Sequence, residues 1–258
     1  MPHDVPEAMV GVAPGLVADR RGLVAMRRRS ATTMPGRETM QRAIDLDFDT
    51  DRLATVVAGA LPVLDPRQRR AGIAVYRLLS VGEPATPEAV ASLAGMSVAE
   101  AGDVMAGLPT AARRGTAVTG FLGLQQSPAA HRLRFAGAVC GTWCAWDTLF
   151  VPELVGRFAR AESRCPVTGV EIVVEIDPST GVVSADPHDT LLTFLAQPRP
   201  YAGEIADQFC RWMHFVGGPA AADRWAAAAE RPDVIVLTLS AGVEVGRLTN
   251  RLVFGLQD

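Results

Sequence analysis

The chain has 258 residues, 48% of them apolar and 21% charged, which supports a hydrophobic core and excludes a wholly disordered or fibrous protein. No stretch approaches the roughly 18 uninterrupted apolar residues of a membrane-spanning helix, and no secretory leader pattern opens the chain, so a cytoplasmic protein without a membrane partner is expected. All 25 basic residues are arginine, yet the net charge is −3, which argues against a nucleic-acid partner.

Residues 1–45 mix Pro, Gly and small residues around Arg27-Arg28-Arg29 and show no sustained apolar period, the pattern of a flexible extension. Residues 46–136 read as a winged-helix-like module of helices followed by a hairpin. Asp51 is placed to cap a short helix through Leu61, and Asp65-Pro66 opens a stronger one that Gly82 stops. Thr86-Pro87-Glu88 starts the next, ending at Gly95, and Ser97 with Glu100 forms a capping-box pattern for a third. Alternating runs at 116–124 and 131–136 then predict a hairpin turning at Ser127-Pro128. The helix that would enter a DNA groove, 97–108, carries Glu100 and Asp103 and no arginine, so the module reads as structural.

Residues 137–258 predict an α+β domain with a small, mainly antiparallel sheet. A short helix is expected at 142–150 with a further turn near Pro152, and strands at 170–176 and 181–184 flank the turn Asp177-Pro178-Ser179-Thr180. Helices are expected at 203–211, 219–229 and 242–252, with strand-like stretches at 190–195, 212–216 and 233–239.

Chemistry concentrates in Cys140-Gly-Thr-Trp-Cys144-Ala-Trp-Asp147. On a helix Cys144 and Asp147 share one face, which brings a carboxylate to a thiol, and a place in the first turn would favour the thiolate. Cys165, in a turn-like loop, and Cys210, beside Arg211, are the candidate second thiols; spacing alone does not choose between them. Two thiols and an acid suit a soft, thiophilic metal.

Trp143-Cys144-Ala145-Trp146-Asp147-Thr148-Leu149-Phe150, with Pro152-Glu153-Leu154 and Gly156-Arg157, resembles the signature of the organomercurial (alkylmercury) lyases. Ser163-Arg164-Cys165-Pro166-Val167-Thr168-Gly169 is similar to the cysteine loop that follows it in that family. Phe209-Cys210 with His214-Phe215 resembles the segment of the second essential cysteine, and Trp225 and Asn250 also match. The resemblance spans roughly residues 60 to 255. It implies protonolytic cleavage of a carbon–mercury bond to a hydrocarbon and Hg(II), in mercury detoxification. The essential cysteines fall on Cys144 and Cys210 and the essential acid on Asp147, while Cys165 matches a structural cysteine. No resident cofactor is implied. Hg(II) is held as product on Cys144, Cys210 and Asp147 until external small thiols or a mercuric reductase remove it, and the protein is expected as a monomer or weak homodimer.

An apolar pocket for the organic group is expected, with Trp146, Phe150, Phe121 and Leu122 as candidates, although each also reads as an ordinary core residue. Cys140, Cys165 and His214 likewise read as buried core side chains. The rivals are a four-cysteine zinc domain, in which Asp147 has no role, and a non-catalytic binder or sensor of thiophilic metals on the same scaffold.

Overall fold

The computed structural model describes residues 49–202 and 205–256, and the extension read over 1–45 lies outside the described residues. Helix α1 (Thr50–Gly59) is capped by Asp49, which accepts from the Arg52 N–H, rather than by Asp51. Helix α2 (Pro66–Leu79) opens on a capping box in which Asp65 accepts from the Gln68 N–H and Gln68 accepts from the Asp65 N–H. Thr86 and Ser97 cap α3 (Pro87–Ala94) and α4 (Val98–Ala106) as the sequence predicts. Among the described residues no single helix is long and apolar enough to cross a membrane.

The predicted hairpin is replaced by two others. Strand β1 (Ala112–Arg114) pairs with β2 (Ala117–Phe121) across a two-residue turn. Strand β4 (His131–Phe135) pairs with β5 (Ala138–Thr142) across Ala136-Gly137, where Gly137 takes the positive φ that such a turn needs. The short β3 (Leu124–Gln125) joins β2 to β5.

The sheet is also larger than expected. It has eight strands, all antiparallel, in the order β1-β2-β3-β5-β4-β6-β7-β8, where β6 is Ala159–Arg164, β7 Glu171–Asp177 and β8 Gly181–Asp186. Strand β6 escapes a sequence reading because its inward residues, Ala159 and Ala161, are small instead of β-branched. A second antiparallel sheet sets β9 (Leu191–Leu195) between β10 (Phe215–Val216) and β11 (Val234–Thr238).

The expected helix 142–150 begins late. Thr142 is paired with His131 in the sheet, so helix α5 runs from Asp147 through Pro152 to Val155. The region expected as a helix over 203–211 holds the short α6 (Ile205–Gln208) and a 3-10 turn (Cys210–Trp212). Helix α7 (Pro219–Ala229) follows, then β11 and the long α8 (Leu239–Phe254). Helix α8 packs on both α1 and α5. Gly246 permits the close approach to α5, since a β-carbon there would lie 2.7 Å from Phe150 Cβ.

Candidate functional site

The site is assembled on a strained turn. Between β2 and β3 the chain reverses through Leu122 and Gly123, with φ of 38° and 97°. For a leucine that conformation is unfavourable by about 1–2 kcal/mol, and the buried Tyr76 hydroxyl holds it by donating to the Leu122 carbonyl at 2.7 Å. The Trp143 N–H donates to the Gly123 carbonyl at 3.0 Å, which ties this turn to the cysteine segment. A β-carbon on residue 123 would lie 2.5 Å from Asp147 Cγ, so Gly123 lets the backbone touch the carboxyl group.

Cys144 and Asp147 do not share a helical face. Asp147 is the first residue of α5, and Cys144 lies in the turn before it, where its N–H donates to Asp147 Oδ2 at 2.8 Å. Thr142 Oγ1 donates to the Cys144 carbonyl at 3.0 Å. The Ala145 N–H donates to the Met213 carbonyl at 3.2 Å, and the Met213 N–H donates to the Cys210 carbonyl at 3.0 Å. Thr193 on β9 clasps the same segment, donating to the Trp212 carbonyl and accepting from the His214 N–H. These bonds bring the two cysteine-bearing turns together. The ligand atoms of Cys144, Asp147 and Cys210 all lie within 4.8 Å of one another, and all three residues are buried.

Burial dominates the electrostatics. It pushes Asp147 up to about 7, against the lowering effect of hydrogen bonds from the Cys144 N–H and thiol and the Trp143 N–H. The Cys144 thiol is driven well above its ordinary value, first by burial, then by its bond with Cys210 and the nearby Asp147 charge. For Cys210 the bond with Cys144 lowers the pKa, but burial and the Asp147 charge prevail and the net direction is upward. The expected thiolate stabilised by a helix start thus gives way to a neutral thiol, because Cys144 sits outside the helix. Arg211 does not favour a Cys210 thiolate either; its guanidinium lies over the Trp212 ring, 5.1 Å from the centroid.

Beside the three groups is an apolar cavity of about 20 Å³, walled by Tyr76, Leu122, Trp146, Phe150, Phe209 and Phe254, with Asp147 and Cys210 at its polar side. Trp146 is fixed by donating to the Gly242 carbonyl at 2.9 Å and by packing on Phe150, Phe194 and Phe209. Of the four pocket candidates, Trp146, Phe150 and Leu122 line this space. Phe121 does not; it packs against Tyr76 and over Gly72, one layer behind.

Cys140 and Cys165 stand apart from the cluster, so the four-cysteine zinc arrangement does not form. Cys140 donates to the Leu79 carbonyl at 3.2 Å. At Cys165 burial acts upward, but bonds from the Thr168 side chain and the Gly217, Thr168 and Val167 backbone bring the net shift downward. His214 makes a bond with the Arg211 carbonyl and packs edge-on against Trp225. Sequence reasoning missed Tyr76 and Gly123. The one available signal was the glycine interrupting Phe121-Leu122-Gly123-Leu124, which marks a turn inside an apparent strand.

Comparisons with known proteins bear on this arrangement. Residues 124–250 match the family model described as MerB, alkylmercury lyase. An alkylmercury lyase of Streptomyces lividans is 31% identical over 184 residues, covering 70% of this chain and 82% of the relative. One of Bacillus cereus is 33% identical over 174 residues, covering 67% and 78%. A solved chain, the mercury-bound form of MerB2, aligns over 80% of this chain and 98% of its own length with a TM-score of 0.58 at 19% identity, a likeness of fold.

Proposed function

The chain belongs to the alkylmercury lyase family and is an organomercurial lyase, and on that premise we propose that Cys144, Asp147 and Cys210 carry out the cleavage. The observation that supports the assignment is the buried meeting of two thiols and one carboxyl group within 4.8 Å beside an apolar cavity.

The substrate arrives as an organic group R on mercury, with a small thiolate as the other ligand. One cysteine displaces that thiolate and its proton leaves with the departing thiol. The second cysteine then binds mercury through sulfur and passes its proton to Asp147. Binding to mercury makes each thiol acidic enough for these transfers despite burial. Two thiolates raise the electron density at mercury and weaken its bond to carbon. Asp147 protonates the carbon, the carbon–mercury bond breaks, and R–H leaves as a neutral hydrocarbon. Two thiol protons are consumed, one by the leaving thiol and one by carbon. A carboxyl group near 7 suits this relay, because it is neither too weak a base to accept nor too weak an acid to donate at neutral pH.

Hg(II) then remains on Cys144 and Cys210, with Asp147 beside it, until external thiols or a mercuric reductase take it, and no resident cofactor is required. The same proposal sets the enzyme in the cytoplasm as a monomer or weak homodimer. Helices α2–α4 with the β1–β2 hairpin act in it as a winged-helix-like structural module, since α4 carries acidic residues and no arginine. We set the functional division from the mercury-site domain (137–258) near residue 136, although the eight-stranded sheet runs across it.

The test is hydrocarbon release, measured by headspace gas chromatography with methylmercury or phenylmercury and excess thiol. Wild type is expected to release methane or benzene, and Cys144→Ala, Asp147→Ala and Cys210→Ala are expected to abolish it, with Cys165→Ala as comparison. Activity that survived Cys210→Ala and died with Cys165→Ala would reverse the choice of second thiol. Mercury binding without hydrocarbon release by wild type would leave a metal binder or sensor instead.

A further inference from the structure

Resting on the assignment of Cys144 and Cys210 as the mercury thiols, we propose that the thioether of Met213 is a third sulfur ligand that holds Hg(II) at the site after cleavage. Met213 is fully buried, and its Sδ lies 3.8 Å from Cys144 Sγ. Its backbone is fixed on both sides of the site, bonded to the Cys210 carbonyl through N–H and to the Ala145 N–H through its own carbonyl. The side chain therefore emerges between the two turns that carry the thiols. A methionine serving only as core filler has no need to present its sulfur to a thiol that lies in one cluster with Cys210 and Asp147.

The chemistry suits a soft metal. A thioether is neutral and carries no proton, so it bonds to Hg(II) by donating a sulfur lone pair, with no bond broken and no proton released. It leaves the proton balance of the cleavage unchanged. Two sulfurs in contact meet a metal bonded to one of them from the side, so Met213 would approach across the sulfur–mercury–sulfur axis rather than replace either thiolate.

The experiment loads wild type, Met213→Leu, Cys144→Ser and Cys210→Ser with one equivalent of mercuric chloride and reads the sulfur shell by X-ray absorption at the mercury edge. Leucine conserves volume, and the apo variant is expected to unfold at nearly the wild-type midpoint. Wild type should show two short sulfurs and one longer, and Met213→Leu only the two short ones. Extraction of Hg(II) by a small dithiol should become faster on the order of tenfold in Met213→Leu. A second probe avoids mutation: protein grown on selenomethionine should show mercury–selenium scattering that Met213→Leu removes. Identical shells and extraction rates in wild type and Met213→Leu, with both serine variants altered, would overturn the third ligand alone. Shells unchanged in Cys144→Ser and Cys210→Ser would overturn the thiol assignment and this inference with it.

Discussion

Cys140 and Cys144 are four residues apart, are almost equally inaccessible, and sit in chemically opposite regions. Cys140 ends its hydrogen bonding on a backbone carbonyl under α2, and burial pushes its thiol up to about 11. Cys144 is driven upward by the same burial but faces Asp147, Cys210 and Met213. Withdrawal from water therefore does not make a reactive thiol; it makes an inert one. The difference lies in a buried proton acceptor within reach, itself shifted to where it can both take and give a proton.

The largest break in that comparison is Asp147→Asn, which keeps the shape and leaves Cys144 with no more proton acceptor than Cys140 has. Hydrocarbon release should fall by about 10²–10⁴-fold, the usual range for a lost general acid–base group. Stability should respond in the opposite sense. The folded pKa of about 7 lies above the ordinary 3.8, so the contribution is fully present below pH 4 and is lost as pH rises through 7. In wild type that loss is about 4 kcal/mol, an upper figure at this burial. Urea midpoints of Asp147→Asn should stay flat over the same interval and exceed those of wild type above pH 7. A variant with the wild-type pH slope would show that the carboxyl group is not the group titrating there.

Gly123→Ala acts next, through the backbone. The positive φ and the approach of a β-carbon to within 2.5 Å of Asp147 Cγ should together destabilise by about 1–3 kcal/mol, and displacement of the carboxyl group should slow cleavage. Denaturant unfolding and the gas assay read both effects, and wild-type values in both would remove Gly123 from the site. This glycine also marks the limit of what the sequence discloses. The caps at Asp65, Thr86 and Ser97 are local chemistry and can be read directly, as can the cysteine-and-acid signature. The eight-stranded sheet and the bonds from Tyr76 and Trp143 that hold the Leu122-Gly123 turn depend on partners far along the chain, and no local pattern states them. The spacing of Cys144 and Asp147 predicts helical neighbours; they meet instead across a helix start, because the preceding strand ends at Thr142.

Tyr76→Phe sharpens the comparison from below. It removes only the hydroxyl that holds the Leu122 carbonyl, at a cost of about 1–3 kcal/mol if that carbonyl stays buried and unpaired. Cleavage should slow several-fold, less than with Gly123→Ala, because the turn loosens without meeting the carboxyl group. An unchanged rate together with the stability loss would confine Tyr76 to the fold.

The smallest effect belongs to Cys140→Ala, and it is the control on the whole contrast. The Leu79 carbonyl that Cys140 bonds also accepts from the Gly82 N–H at 2.9 Å, so removing the thiol strands no acceptor. What remains is the loss of one buried sulfur, about 1 kcal/mol of stability. Hydrocarbon release should stay within twofold of wild type, since no proton acceptor like Asp147 stands beside Cys140. A loss comparable to that of Cys210→Ala would mean that the strand carrying Cys140 transmits strain to the turn at Cys144, and the two regions would then have to be treated as one.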